Sequence, residues 1–217
     1  MSPEAFVAEL DRQIAQALAR IGSAAKAPPA ANLTIADLLL GALKNELEAS
    51  EEAALWMTRE RDVELKLALA RQCGDEAKHY RLILERLGEL GRDPVTVDPL
   101  ARGYSPMFEF LRSLETTAER VAAGPFAREA LAKVRNEIFA AYCESIGDGK
   151  TVRLYREIIQ PDEEHHHQLG RRLLLRFAIS GQDQARARLA VERTLELAEE
   201  LQEVARLKSG LSSAPGC

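Results

Sequence analysis

Apolar residues recur at three- and four-residue intervals through most of the chain, which predicts helices throughout. Phe6, Leu10, Ile14, Leu18 and Ile21 mark a first amphipathic helix. Ser2-Pro3 supplies its N-cap and first helical position, and it ends near Gly22. Residues 23–32 read as a linker broken by Pro28-Pro29. Thr34 with Asp37 resembles a cap for a second helix running to about Thr58, with Leu39, Leu43, Leu47, Ala54 and Met57 as its stripe. Arg59-Glu60-Arg61-Asp62 reads as a turn. A third helix over about 62–89 carries Leu65, Leu69, Gln72, Glu76, His79 and Ile83 on one face.

Residues 91–104 form a connection long enough to cross the end of a bundle. Ser105-Pro106 repeats the cap signature and opens a helix to about Ala123, with Met107, Phe110, Leu111 and Leu114 apolar. Gly124-Pro125 is expected to break or kink it. A helix from Pro125 to about Ile146 follows, with the stripe Ala127, Ala130, Val134, Ile138, Ala141 and Ser145. Gly147-Asp148-Gly149 is a turn. The helix over about 150–179 places Val152, Tyr155, Ile159, Glu163, His166, Gly170, Leu173 and Phe177 on one face, with a kink expected at Pro161. Residues 183–208 form a last amphipathic helix, and the tail 209–217 is expected to be disordered. The pattern implies one all-α domain over 1–217: a bundle over about 34–180, an N-terminal helix and linker over 1–33, and a C-terminal helix and tail over 182–217.

Composition agrees. Apolar residues are 46% and charged residues 29% of 217, as in soluble globular proteins, and a length of this order suits one domain with a sizeable core. Aromatics are only 5%, while Ala, Leu, Glu and Arg abound, which favours helix. The net charge of −5 gives no basic footprint for bulk nucleic acid. Cys73, Cys143 and Cys217 contain no CxxC pair, which argues against a disulfide framework, a zinc ribbon or a rubredoxin-type site and fits a reducing compartment. No signal-peptide pattern or apolar run of membrane-spanning length is present, so a cytoplasmic protein is expected.

The chemistry lies in two matched stretches. Asp75-Glu76-Ala77-Lys78-His79 and Asp162-Glu163-Glu164-His165-His166-His167 each contain Asp followed by Glu-x-x-His, and they hold all four histidines of the chain. Each has an upstream partner: Leu43-Lys44-Asn45-Glu46-Leu47-Glu48-Ala49-Ser50 matches Val134-Arg135-Asn136-Glu137-Ile138-Phe139-Ala140-Ala141. The order Glu, ExxH, Glu, ExxH reads as two related helical hairpins. At about 100° per residue, Glu46 falls on its apolar stripe, whereas Glu48, Glu51 and Glu52 read as a solvated acidic face. Glu137 falls on the following stripe, Glu144 on its flank and Glu129 largely away. Glu137 also matches Glu46 in the repeat, so it is the expected inward acid. Glu163/His166 and Glu164/His167 both have the spacing, and the stripe selects the first pair. His167 flanks that face and is a candidate to support the inward ligands from behind, His165 points nearly opposite, and Asp75 and Asp162 are placed to orient an imidazole of a neighbouring helix. Tyr155, two turns before Glu163, is a candidate hydrogen-bonding or redox neighbour. Asn45 and Asn136 recur on what read as outer faces, without an evident reason.

Four inward carboxylates would repel one another or take up protons, and a pair of cations removes the conflict. This arrangement resembles the ferritin-like di-iron carboxylate superfamily over about residues 34–180, in which two helices each give one Glu and two give Glu-x-x-His. DEAKHYRLILERLGELG (75–91) and IIQPDEEHHHQL are similar to the metal-binding helices of bacterioferritins. The resemblance implies two Fe or Mn ions, with Glu46 and Glu137 as single-Glu ligands, Glu76 and Glu163 as bridges, and His79 and His166 as terminal imidazoles. Ala77 stands where bacterioferritins have their haem-ligating Met, so no haem is expected, and no rubredoxin-like module is present. The implied activity is that of a di-iron oxidase or oxygenase working on O2 or peroxide with an external electron donor, in a homodimer and away from membranes. The tRNA hydroxylases of the superfamily have a comparable helical plan but share only the metal motif. Iron storage with ferroxidase chemistry, and peroxide scavenging of the rubrerythrin or manganese-catalase type, are the alternatives.

Overall fold

The computed structural model describes residues 1–25, 33–209 and 215–216. The expected Pro28-Pro29 break, and the tail except Ser209, Pro215 and Gly216, lie outside the described residues. The described residues are all-α. In chain order they form α1 (Pro3–Ala25), α2 (Ile35–Arg59), α3 (Val63–Glu89), α4 (Pro106–Ser113), α5 (Thr117–Val121), α6 (Glu129–Ser145), α7 (Gly149–Arg153), α8 (Gln160–Phe177) and α9 (Gly181–Ser209). A 3-10 turn at Pro94–Thr96 lies in the α3–α4 connection.

Local chemistry sets several of these boundaries. Thr34 and Asp37 form a reciprocal capping box at the start of α2. Asp62 caps α3, and Ser105 caps α4 with Pro106 behind it. The expected break at Gly124-Pro125 falls elsewhere. The chain leaves the helix at Leu114–Thr116, and Thr116 with Glu119 builds a second capping box that restarts it. Through Gly124-Pro125 the helix continues as a π-helical stretch, Ala122–Arg128, that runs directly into α6. A widened turn accommodates the missing proline N–H, and the N–H of Glu129 reaches back five residues to the Gly124 carbonyl. Pro161 behaves in the same way: a second π-helical stretch, Leu154–Ile159, precedes α8, and the N–H of Gln160 bonds to the Tyr155 carbonyl.

Helices α2 and α3 form an antiparallel hairpin packed along its length, and α6 packs on α8. Helices α1 and α9 cover the outside. α1 lies on α6, α8 and α9, and α9 lies on α5 and the first π-helical stretch. Gly170 permits one close approach. A Cβ there would sit 2.5 Å from the Pro125 carbonyl carbon and 2.6 Å from the Phe126 nitrogen, so α8 meets the π-helical backbone directly.

Two separate apolar clusters fill the interior. One gathers Phe6, Leu10, Trp56, Leu65, Leu69, Phe126, Leu131 and Leu174. The other gathers Leu39, Leu43, Ile83, Leu87, Phe139, Tyr155 and Ile159. On α2, α3, α6 and α8 the residues between these clusters are polar and still buried, among them Glu46, Glu52, Gln72, Glu76, His79, Glu129, Glu163 and His166. The bundle therefore holds a polar layer closed at both ends by hydrocarbon. Burying that many ionisable groups is costly unless they are compensated.

Candidate metal centre

Two overlapping groups of ligand-type side chains occupy this layer. Glu46, Glu76, His79 and Glu163 offer one atom each within 4.8 Å of one another, and so do Glu76, Glu129, Glu163 and His166. Glu76 and Glu163 belong to both groups. His79 Nδ1 lies 3.1 Å from Glu76 Oε2 and 3.4 Å from Glu46 Oε2. His166 Nδ1 lies 3.3 Å from the other Glu76 oxygen, and 3.9 Å from both Glu129 Oε2 and Glu163 Oε2. One carboxylate of α3 thus stands between an imidazole of its own helix and one of α8.

Both imidazoles are held from behind. His79 Nε2 is 3.1 Å from Asp162 Oδ2, and His166 Nε2 is 3.1 Å from Asp75 Oδ2. An Nε2–H tautomer donates to the Asp and turns the Nδ1 lone pair toward the carboxylates. Lys78 donates to Asp162 at 2.6 Å, and Arg71 to Asp75 at 3.3 Å, fixing the outer ends of the two relays. Gln72 donates to Glu129 Oε1 at 2.7 Å and leaves Oε2 facing inward. Among the described residues, Glu46 Oε1 and Glu129 Oε2 are buried without a hydrogen-bond partner. Such orphaned acceptors converging on one space suit an electropositive occupant.

Electrostatics point the same way. Burial pushes Glu46 up to about 7, with Glu76 adding to the rise and His79 opposing it. Burial also pushes Glu76 up, but its hydrogen bonds to His166 and His79 outweigh this and hold it well below the usual carboxylate range. Burial pulls His79 down, yet Glu46 and Glu76 bring it to about 10. The same contest at His166, won by Asp75, Glu129 and Glu76, ends at about 12. Protons on the imidazoles therefore supply positive charge to the metal-free layer. Two divalent ions would replace them, balancing the four carboxylates and leaving the imidazoles neutral.

Five of the six residues expected from the sequence stand together here: Glu46, Glu76, His79, Glu163 and His166. Glu137 does not. Its side chain is 52% exposed and pairs with Arg156 at 2.9 Å, and the sixth residue is the fully buried Glu129. The expected stripe lies almost wholly within regular α6, where its Val134 and Ile138 are only half-buried and its Ala141 is exposed. The buried face of α6 instead follows Glu129, Ala132, Asn136, Phe139, Ala140 and Cys143.

The acidic face expected on α2 is also partly interior. Glu48 accepts from the Ser105 backbone and hydroxyl at 2.7 and 2.5 Å. Glu52 pairs with Arg128 at 2.8 Å, and burial with the nearby acids lifts Glu52 to about 8 despite that partner. His167 turns away from the layer, stacks on Phe126 and contacts the Phe126 carbonyl oxygen at 2.8 Å, tying α8 to the π-helical stretch. His165 is half-buried, edge-on to His166. Tyr155 is fully buried against Phe139, and its hydroxyl has no hydrogen-bond partner among the described residues. Its pKa is raised well above 10, first by burial and then by Glu46, Cys143 and Glu163.

No helix among the described residues is long and apolar enough to cross a membrane. No family model matches the chain, and no curated protein matches it. Among solved structures, it is similar to a domain of unknown function with a heme oxygenase-like fold from Shewanella denitrificans OS217. The two are 14% identical with a TM-score of 0.66, covering 94% of this chain and 96% of that one. At this identity the likeness concerns the fold alone. It supports an all-helical frame, and it carries the heme oxygenase-like description where the sequence had suggested a ferritin-like one.

Proposed function

We propose that the protein is a non-haem di-metal oxidoreductase acting on O2 or peroxide, with two Fe or Mn ions held by Glu46, Glu76, His79, Glu129, Glu163 and His166. The supporting observation is the sharing of Glu76 and Glu163 between two buried four-residue groups, each ending in one imidazole. The donor set is that of ferritin-like di-iron carboxylate proteins, here on a frame similar to a heme oxygenase-like domain. Two oxygen-ligated ferrous or manganous ions side by side would supply electrons for reducing O2 or peroxide.

The chain's own residues then have separable tasks. Glu76 and Glu163, which belong to both groups, would help to hold both ions. Asp75 and Asp162 hold the imidazoles in the tautomer that presents Nδ1 inward. Gln72 aims Glu129. The flanking apolar clusters keep bulk water from the layer, which protects reactive species from side reactions. Turnover would require an external electron donor, and an oligomer, if formed, would be a homodimer.

Anaerobic titration with ferrous iron, followed by O2 and absorption spectroscopy, tests this reading. Two ions bound per chain and an O2-dependent absorption change are expected. Absence of binding, or binding undiminished in Glu76→Ala, would sink it.

A further inference from the structure

Asn45 and Asn136, whose recurrence had no evident reason in the sequence, face a common occupant. Asn45 Nδ2 donates to the Pro215 carbonyl at 3.1 Å, and the Gly216 N–H donates to Asn136 Oδ1 at 2.7 Å. Asn136, Pro215 and Gly216 are buried. Pro215 and Gly216, in the tail expected to be disordered, are thus seated at this point. Asn serves here because its amide offers both a donor and an acceptor, and so pairs with backbone as another backbone would. The seat also selects glycine. Gly216 has φ +83°, and a Cβ there would lie 3.2 Å from Asn45 Cβ and Nδ2.

The seat occupies a seam of the bundle. α2 packs closely on α3 and α6 on α8, but α2 and α6 approach each other only sparsely. Arg128 bridges them on one side of the seat, donating to the Asn45 carbonyl at 3.2 Å and pairing with Glu52. Asn45 directly precedes Glu46. Pro215 and Gly216 therefore lie in a loosely packed edge beside the polar layer.

We propose that Pro215–Gly216 is a removable stopper in the α2–α6 seam, and that its departure admits small solutes to the polar layer. Two hydrogen bonds between neutral groups make a weak latch, since water replaces them when it opens. Only what the opening serves rests on the di-metal reading, and the test keeps the two apart.

Cys143 reports the opening without any metal. It is fully buried on the same face of α6 as Asn136, two turns further on. With Cys73→Ser and Cys217→Ser as background, its labelling by a small neutral maleimide is timed on metal-free protein. Gly216→Val, which cannot hold the seat, and deletion of residues 211–217 are each expected to speed labelling at least tenfold. The melting temperature should stay within about 3 °C. A synthetic peptide Ser-Ser-Ala-Pro-Gly-Ser added to the deletion variant should slow labelling again. Unchanged labelling in both variants overturns the proposal. So does a large loss of melting temperature in both, which would make the segment a structural strut. Faster labelling in a protein that binds no ferrous iron would keep the stopper and dismiss the di-metal reading.

Discussion

Asp75 Oδ2 on α3 lies 3.1 Å from His166 Nε2 on α8, and the reverse pair, Asp162 on α8 with His79 on α3, repeats the same distance. Each Asp-Glu-x-x-His segment thus orients the histidine of the other, which is possible because α3 and α8 run antiparallel. Asp75→Asn and Asp162→Asn are each expected to weaken metal binding about 10- to 100-fold, the usual effect of removing such a partner. Competitive cobalt or ferrous titration measures this. Asp98→Asn, on the exposed α3–α4 connection, should leave affinity unchanged.

Glu129 and Glu137 differ by two turns of α6 and by their whole environment. Glu129→Ala should reduce bound metal from two ions per chain to one, because it removes the residue belonging only to the His166 group. Glu137→Ala should bind two, having lost only a solvated pair with Arg156. Metal analysis after gel filtration distinguishes the two variants. Equal stoichiometries would refute the assignment.

Stability of the metal-free protein should be greatest near pH 5. Glu46 and Glu52 titrate in the folded state near 7 and 8, above ordinary glutamate, so the folded state binds more protons and stability falls as pH rises from about 4.5 to 8. His79 and His166 are raised as well. Their contribution is full below about 6.5 and is lost as pH rises toward 10 and 12. The lowered Asp75, Glu76 and Asp162 act oppositely and withdraw stability only below the ordinary carboxylate range. Urea midpoints should therefore decline steadily from pH 5 to 9. A maximum at pH 8 would contradict the electrostatics described.

Gly170→Ala should destabilise the fold. Its Cβ would meet backbone atoms of Pro125 and Phe126, which cannot swing aside as a side-chain end could. A cost of about 1–3 kcal/mol is typical of such overpacking, or a fall of roughly 2–12 °C in Tm for a chain of this size. Gly74→Ala, with open space around its added Cβ, should be neutral or slightly stabilising because alanine favours helix.

The sequence by itself determined the helices, most of their ends, and five of the six carboxylates and imidazoles that the two groups bring together. Periodicity records which side of a regular helix meets the core, and capping side chains act within a few residues, so both are written locally. What the tertiary structure decided depended on packing and on distant partners. The packing of α6 against α8 and α1 buried Glu129 and left Glu137 exposed beside Arg156. Glu48 and Glu52 became interior because Ser105 and Arg128 came to meet them from 57 and 76 residues away. Asn45 and Asn136 acquired a role only through their hydrogen bonds to the backbone of Pro215 and Gly216. A repeated motif can mark positions as equivalent, but the helix phase and the approaching partner decide what each position faces.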